Sequence, residues 1–138
     1  MRRADVTSPA RRGLLLPLRR LLLGPVRVGG LPPEIDLPAG VEIRENRWLL
    51  ALGGRLAGMG GRAGGMAVGR TILVPPGAKL QPRLLRHELV HVRQWRTVPF
   101  FPLRYLWESL RRGYRNNRFE REARDLADPS IISPESET

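Results

Sequence analysis

Pro82-Arg83-Leu84-Leu85-Arg86-His87-Glu88-Leu89-Val90-His91-Val92-Arg93-Gln94-Trp95-Arg96 is the stretch on which the reading of this chain turns. Proline suits the first helical position, and the apolar residues that follow recur at helical spacing, which predicts a helix from Pro82 to about Arg96. Leu84, His87 and His91 share one face of that helix, and Leu85, Leu89 and Val92 form an adjacent apolar stripe. The chain has two histidines in 138 residues. They fall four apart with a glutamate next to the first, a coincidence expected roughly one time in a thousand. Residues four apart on a helix project together, so both imidazoles can reach one metal ion. Glu88, on the same turn, can take a proton from a water held there.

Upstream, Met66-Ala67-Val68 and Thr71-Ile72-Leu73-Val74 flank Gly69-Arg70, the pattern of two strands joined by a tight turn, and Pro75-Pro76-Gly77 ends the second strand. Val41 to Arg44 alternates as a short strand, and Trp48 to Leu56 is apolar enough for a short helix, with Trp48 expected as a core anchor. Eight glycines between Gly53 and Gly69 lack the strand, loop and helix context of a phosphate-binding loop. They read as a flexible loop or a close backbone crossing. Residues 24–40, rich in Pro and Gly, read as an extended linker or wrapping arm. Residues 11–24 form a short basic, leucine-rich segment, able to pack on the domain, lie on a membrane surface or stay disordered until bound.

Downstream, Pro99 and Pro102 break the chain. A second helix is expected from Pro102, with Leu103, Leu106, Trp107, Leu110 and Tyr114 as its core stripe and Glu108 on the opposite, polar face. Asn117 has the character of an N-cap for a third helix, which Pro129 stops. The expected organisation is a basic N-terminal arm over residues 1–40, a domain over 41–128 and a disordered tail over 129–138.

Composition narrows the chemistry. There is no cysteine, so any metal must be held by His, Asp or Glu. The formal net charge is +11, and Lys79 is the only lysine. Such a balance favours acidic partners, but the arginines run from Arg2 to Arg124 without clustering. A weak nucleic-acid or anionic-membrane contact through a basic surface is therefore the most that charge implies. No stretch approaches the roughly 20 apolar residues of a membrane span, which fits a cytoplasmic chain, at most peripheral to a membrane.

Two histidines leave a tetrahedral zinc short of ligands, and a catalytic site commonly takes a third from the protein. Here that ligand must be a carboxylate. Phe119-Glu120-Arg121-Glu122-Ala123 offers Glu120 and, as the alternative, Glu122. Glu120 also stands three residues after Asn117, the spacing of a capping box, so that role competes with ligation. Zinc so held would activate water and polarise a peptide carbonyl, with Glu88 as the base. Tyr105, Tyr114 or an arginine can stabilise the resulting oxyanion, and the sequence does not choose among them.

With these residues in place, the segments 85–94 and 119–123 resemble the gluzincin class of zinc metallopeptidases. Within it, the chain is most similar to small bacterial HExxH domains like the core domain associated with extracellular contractile injection systems. The likeness covers roughly residues 66–127. It includes the apolar strand before the motif helix, here Thr71–Val74, the glutamine three after the second histidine, here Gln94, and a Glu-x-Glu-Ala segment, here Glu120–Ala123. It implies His87, His91 and Glu120 as zinc ligands and Glu88 as general base. Many such families carry, after the alanine, an aspartate that orients a ligand histidine from behind. This chain has Arg124 there and Asp125 one residue later, so Gln94 and Asp125 are the candidates for that supporting role.

The resulting expectation is a small α+β domain, a β-hairpin or sheet packed on about three helices in a minimal zincin-like arrangement, acting on a protein or peptide substrate. The competing readings are a non-catalytic zinc-binding module and a basic adaptor for nucleic acid or anionic membrane.

Overall fold

Thr71-Ile72-Leu73-Val74 is buried along its whole length, as an uninterrupted apolar and β-branched run requires of a central strand. In the computed structural model, which describes residues 17–61 and 63–128, this strand is the middle of a three-stranded sheet. The elements in chain order are β1 (Glu42–Glu45), α1 (Arg47–Leu56), β2 (Met66–Val68), β3 (Thr71–Val74), α2 (Pro82–Thr97), α3 (Phe101–Arg112), a 3-10 turn (Tyr114–Asn116) and α4 (Arg118–Ala127). Residues 17–23 are also helical. The fold is thus the small α+β arrangement expected. The expected disordered tail over 129–138, and residues 1–16 of the expected arm, lie outside the described residues.

β1 runs parallel to β3, pairing Glu42 with Thr71 and Glu45 with Val74, and α1 lies in the crossover between them. β2 runs antiparallel to β3, pairing Val68 with Thr71 across the two-residue turn. Gly69 takes φ +61°, a conformation that β-branched residues avoid. β2 is left as the free edge of the sheet.

The stretch before β1 wraps the opposite edge. Val26 bridges Arg44, the Arg27 amide donates to the Ile43 carbonyl at 2.8 Å, and Ile35 is buried in the same core as Ile43, Ile72, Val74, Leu80, Leu85 and Val92. The domain expected at 41–128 therefore draws part of its core from residues before 41. α2 sets Leu85 and Val92 into this core, and Leu89 packs against it half-buried, as the apolar stripe predicts. The Trp95 indole donates to the Ala67 carbonyl at 3.0 Å, tying α2 to the edge strand.

Asn117 joins the C-terminal helices. It is fully buried; its Oδ1 accepts from the Phe119 amide at 2.9 Å, capping α4 as expected. Its Nδ2 donates to the Tyr105 carbonyl and to Ser109 Oγ on α3. Phe101 fills the wedge between the helices, edge-on to Trp95, Tyr105 and Phe119.

These contacts overturn two expectations. α3 buries Phe101, Glu108 and Ser109, while Leu103, Trp107 and Leu110 face outward. The aromatic wedge and the Asn117 bonds fix the rotation of the helix, so Glu108, expected on a polar exposed face, is 8 % exposed. Trp48, expected in the core, is 80 % exposed. α1 turns inward the face bearing Leu50 and Gly54, because a Cβ on Gly54 would already lie 3.2 Å from the Gly61 backbone. Trp48, Leu52 and Leu56 are carried to the other side.

Asn117→Ala removes a cap and the donor that reaches the Tyr105 carbonyl and the buried Ser109 Oγ on α3. It is expected to cost about 2–4 kcal/mol in urea unfolding, whereas Trp48→Ala should stay within roughly 0.5 kcal/mol. Equal losses would refute this assignment of core and surface.

Candidate metal centre

α2 presents His87 and His91 on successive turns, their ring centroids 4.8 Å apart, and their Nε2 atoms approach to 3.1 Å. α4 packs along α2 and delivers Glu120 to the same point. Glu120 Oε2 lies 3.0 Å from His87 Nε2, and Oε1 lies 3.0 Å from His91 Nε2. The three side chains offer ligand atoms all within 4.8 Å of one another, a cluster able to hold a metal ion. Glu120 does not close a capping box: the Asn117 amide bonds to the Tyr114 carbonyl, and the Glu120 carboxylate turns inward.

The supporting bonds decide which imidazole nitrogen is free. His91 Nδ1 is 2.7 Å from Gln94 Oε1. The Gln94 amide is oriented from its other end, where Nε2 donates to the Phe119 carbonyl and to Glu122 Oε2. With Oε1 thus facing the ring, His91 carries its proton on Nδ1 and turns an Nε2 lone pair to the cluster. Tyr105 donates its hydroxyl proton to Glu120 Oε1 at 2.6 Å.

Glu122 is thereby placed outside the cluster. It is bonded to Gln94 and paired with Arg93 at 2.8 Å on the surface. Asp125 is exposed, and the position behind the ligand histidine is held by Gln94. Arg124 lines the cavity beside the site and donates to the Arg115 carbonyl.

Glu88 is 4 % exposed, and its Oε2 has no hydrogen-bond partner among the described residues. Gly65 leaves space for this carboxylate, since a Cβ there would come within 3.1 Å of Glu88 Oε1. The glycine-rich stretch is thus a close backbone approach at this point, one of the two readings its composition allows. Gly65 carries no chemistry of its own, and its proximity to Glu88 could not be read from spacing.

Burial and charge set the protonation of the site. Burial raises the Glu88 pKa above the usual carboxylate value, and the attraction of His91 and His87 only partly offsets it. For Glu120 burial also acts upward. The neighbouring His87 and His91 imidazoles and the Tyr105 hydroxyl outweigh it and hold the carboxyl well below its usual range. Burial pulls His91 down, but the Glu120 bond and the charges of Glu88 and Glu120 carry it above its ordinary value. Tyr105 and Tyr114 are both pushed up, first by burial and then by the Glu120 charge.

The residues fit a cation on two observations. The two Nε2 atoms converge at 3.1 Å with His91 Nδ1 already committed to Gln94, so His91 Nε2 offers a lone pair that a cation at this point would take. Glu120 Oε2, buried, has no aligned donor although His87 Nε2 is near. The cluster stands in the wall of a cavity of about 710 Å³ lined largely by apolar groups such as Leu84, Met66 and Leu106, with Tyr114 at its edge. No protein-family model, no curated protein and no solved structure matches this chain.

Gln94→Ala is expected to weaken divalent-metal affinity about 10–100-fold, as loss of a ligand-orienting bond does elsewhere, measured by competition with a chelating dye. An unchanged affinity would remove Gln94 from the account. Metal binding requires neutral imidazole, and His91 holds its proton above the ordinary 6.5 of histidine. Affinity should therefore rise with pH and be lost as pH falls through that raised value, in titrations between about pH 5.5 and 8.5. A pH-independent affinity would contradict the assignment of His91 as a ligand.

Proposed function

We propose that this chain is a zinc-dependent metallopeptidase in which His87 Nε2, His91 Nε2 and the Glu120 carboxylate hold the metal and Glu88 is the general base. The observation that carries the reading is a buried, unpartnered carboxylate oxygen on Glu88 beside a two-histidine, one-glutamate cluster that borders a cavity. Two imidazoles and one carboxylate are a donor set that zinc takes, and a catalytic site keeps a position open where a structural one is filled by four protein ligands. The cavity on the open side favours the catalytic arrangement over a purely structural metal module.

When bound, zinc would supply Lewis acidity, polarising a substrate carbonyl and lowering the pKa of water. The chain's own residues account for the rest. Glu88, raised in proton affinity by burial, is suited to accept a proton from the attacking water and return it to the departing amine nitrogen. Tyr105 fixes Glu120 by its short hydrogen bond, and Gln94 fixes His91. Tyr114 and Arg124 stand in the cavity wall beside the site, where each could donate to a developing oxyanion. The apolar lining excludes water and suits an apolar side chain next to the scissile bond.

Zinc-loaded protein is expected to cleave an unfolded protein substrate and to stop when a chelator removes the metal. Glu88→Gln should retain the metal and lower kcat by about 10²–10⁴-fold. Full activity in Glu88→Gln would refute the role of that residue. A metal-loaded chain that leaves diverse unfolded substrates intact would instead favour a non-catalytic metal module.

A further inference from the structure

Two exposed apolar rows lead away from the cavity. On α1, Trp48, Leu52 and Leu56 recur every fourth residue and are all exposed. On α3, Leu103, Trp107 and Leu110 form a second exposed row. Leu56 at the end of the first ridge and Leu103 at the start of the second are both exposed and both line the same cavity, so each ridge reaches it. Scattered exposed leucines are ordinary, but paired rows containing two exposed tryptophans are not.

The charges around these rows have one sign. α1 contains no acidic residue and carries Arg47 and Arg55, both exposed. On α3 the only acidic residue, Glu108, is buried and paired with Arg112, while Arg104 and Arg111 are exposed. Arg111 lies over the Trp107 ring, 5.6 Å from its centroid. Among the described residues, Arg47, Arg55, Arg104 and Arg111 form no ion pair. Apolar rows with tryptophan, bordered by unpaired arginines and lacking exposed carboxylates, match the layering of an anionic bilayer surface. There acyl chains take the leucines, the carbonyl region takes the indoles and the phosphates take the guanidiniums.

We propose that this chain docks on anionic lipid bilayers through the α1 and α3 ridges, which turns the mouth of the cavity toward the membrane surface. The docking does not require catalysis. If the site is a peptidase, the bonds within its reach are those of polypeptide lying at the interface.

Full-length zinc-loaded protein is to be sedimented with vesicles of phosphatidylglycerol and phosphatidylcholine, and with phosphatidylcholine alone. Binding is expected to the anionic vesicles only, with the tryptophan emission shifting to the blue. Trp48→Asp and Trp107→Asp should each weaken binding about tenfold or more, the effect of withdrawing one large apolar side chain from the bilayer. Their circular dichroism and metal content should be unchanged, because both sites are exposed. Glu88→Gln should bind as the wild type does, which separates docking from catalysis. No binding to anionic vesicles at low salt would overturn the proposal. So would binding that both aspartate variants keep in full, since arginine charge alone would then be the cause. A dimer in sedimentation equilibrium that either variant dissolves would assign the ridges to a second copy of the chain and overturn it equally.

Discussion

The buried amide of Gln94 ties the two halves of the candidate metal cluster together. Its oxygen receives His91 Nδ1 on α2, and its nitrogen reaches the Phe119 carbonyl and Glu122 on α4. One side chain therefore sets the tautomer of a ligand histidine and the spacing of the helix that brings Glu120. Bringing two histidines and two glutamates into a water-poor cleft is costly unless each group is paired. Glu120 meets that condition only in part: its Oε1 accepts from Tyr105, while its buried Oε2 has no aligned donor. Glu88 Oε2 is likewise buried without a hydrogen-bond partner among the described residues, which is why the proposed role as base is placed there.

The same economy explains the rest of the C-terminal half. Asn117 lies fully buried between α3 and α4, so the cap that starts α4 also sets the rotation of α3. With that rotation fixed, Tyr105 reaches Glu120 and Phe101 packs under His91, at 6.3 Å between ring centroids. A consequence is the outward apolar row on α3. The domain gives up burial of Leu103, Trp107 and Leu110 and uses the opposite face for the aromatic wedge and the site.

Features governed by local periodicity and turn chemistry were legible in the sequence. These include the α2 helix with its paired histidines, the hairpin about Gly69-Arg70, the buried strand Thr71–Val74 and the Asn117 cap. The convergence of the two histidines with a carboxylate was legible in part: the lack of cysteine pointed to a carboxylate, the residues left Glu120 and Glu122 open, and only the resemblance implied Glu120. What was not legible depended on tertiary choice. An apolar stripe reports that a helix has two faces, not which one is buried, so Leu103, Trp107 and Leu110 read as core. Trp48 read as an anchor because nothing local reveals that Gly54 supplies the contact face of α1. The core position of Ile35 was hidden for a similar reason, since a Pro- and Gly-rich arm has no periodicity to read.

The central claim is a three-ligand site in which Glu120, and not Glu122, completes the pair of histidines. Its most direct test is the metal content of the purified chain after zinc loading, compared with Glu120→Ala and Glu122→Ala. The account predicts about one zinc per chain in the wild type, near-complete loss in Glu120→Ala and retention in Glu122→Ala. A wild-type chain that binds no zinc, or a Glu120→Ala variant that holds it as firmly as the wild type, would contradict the site described.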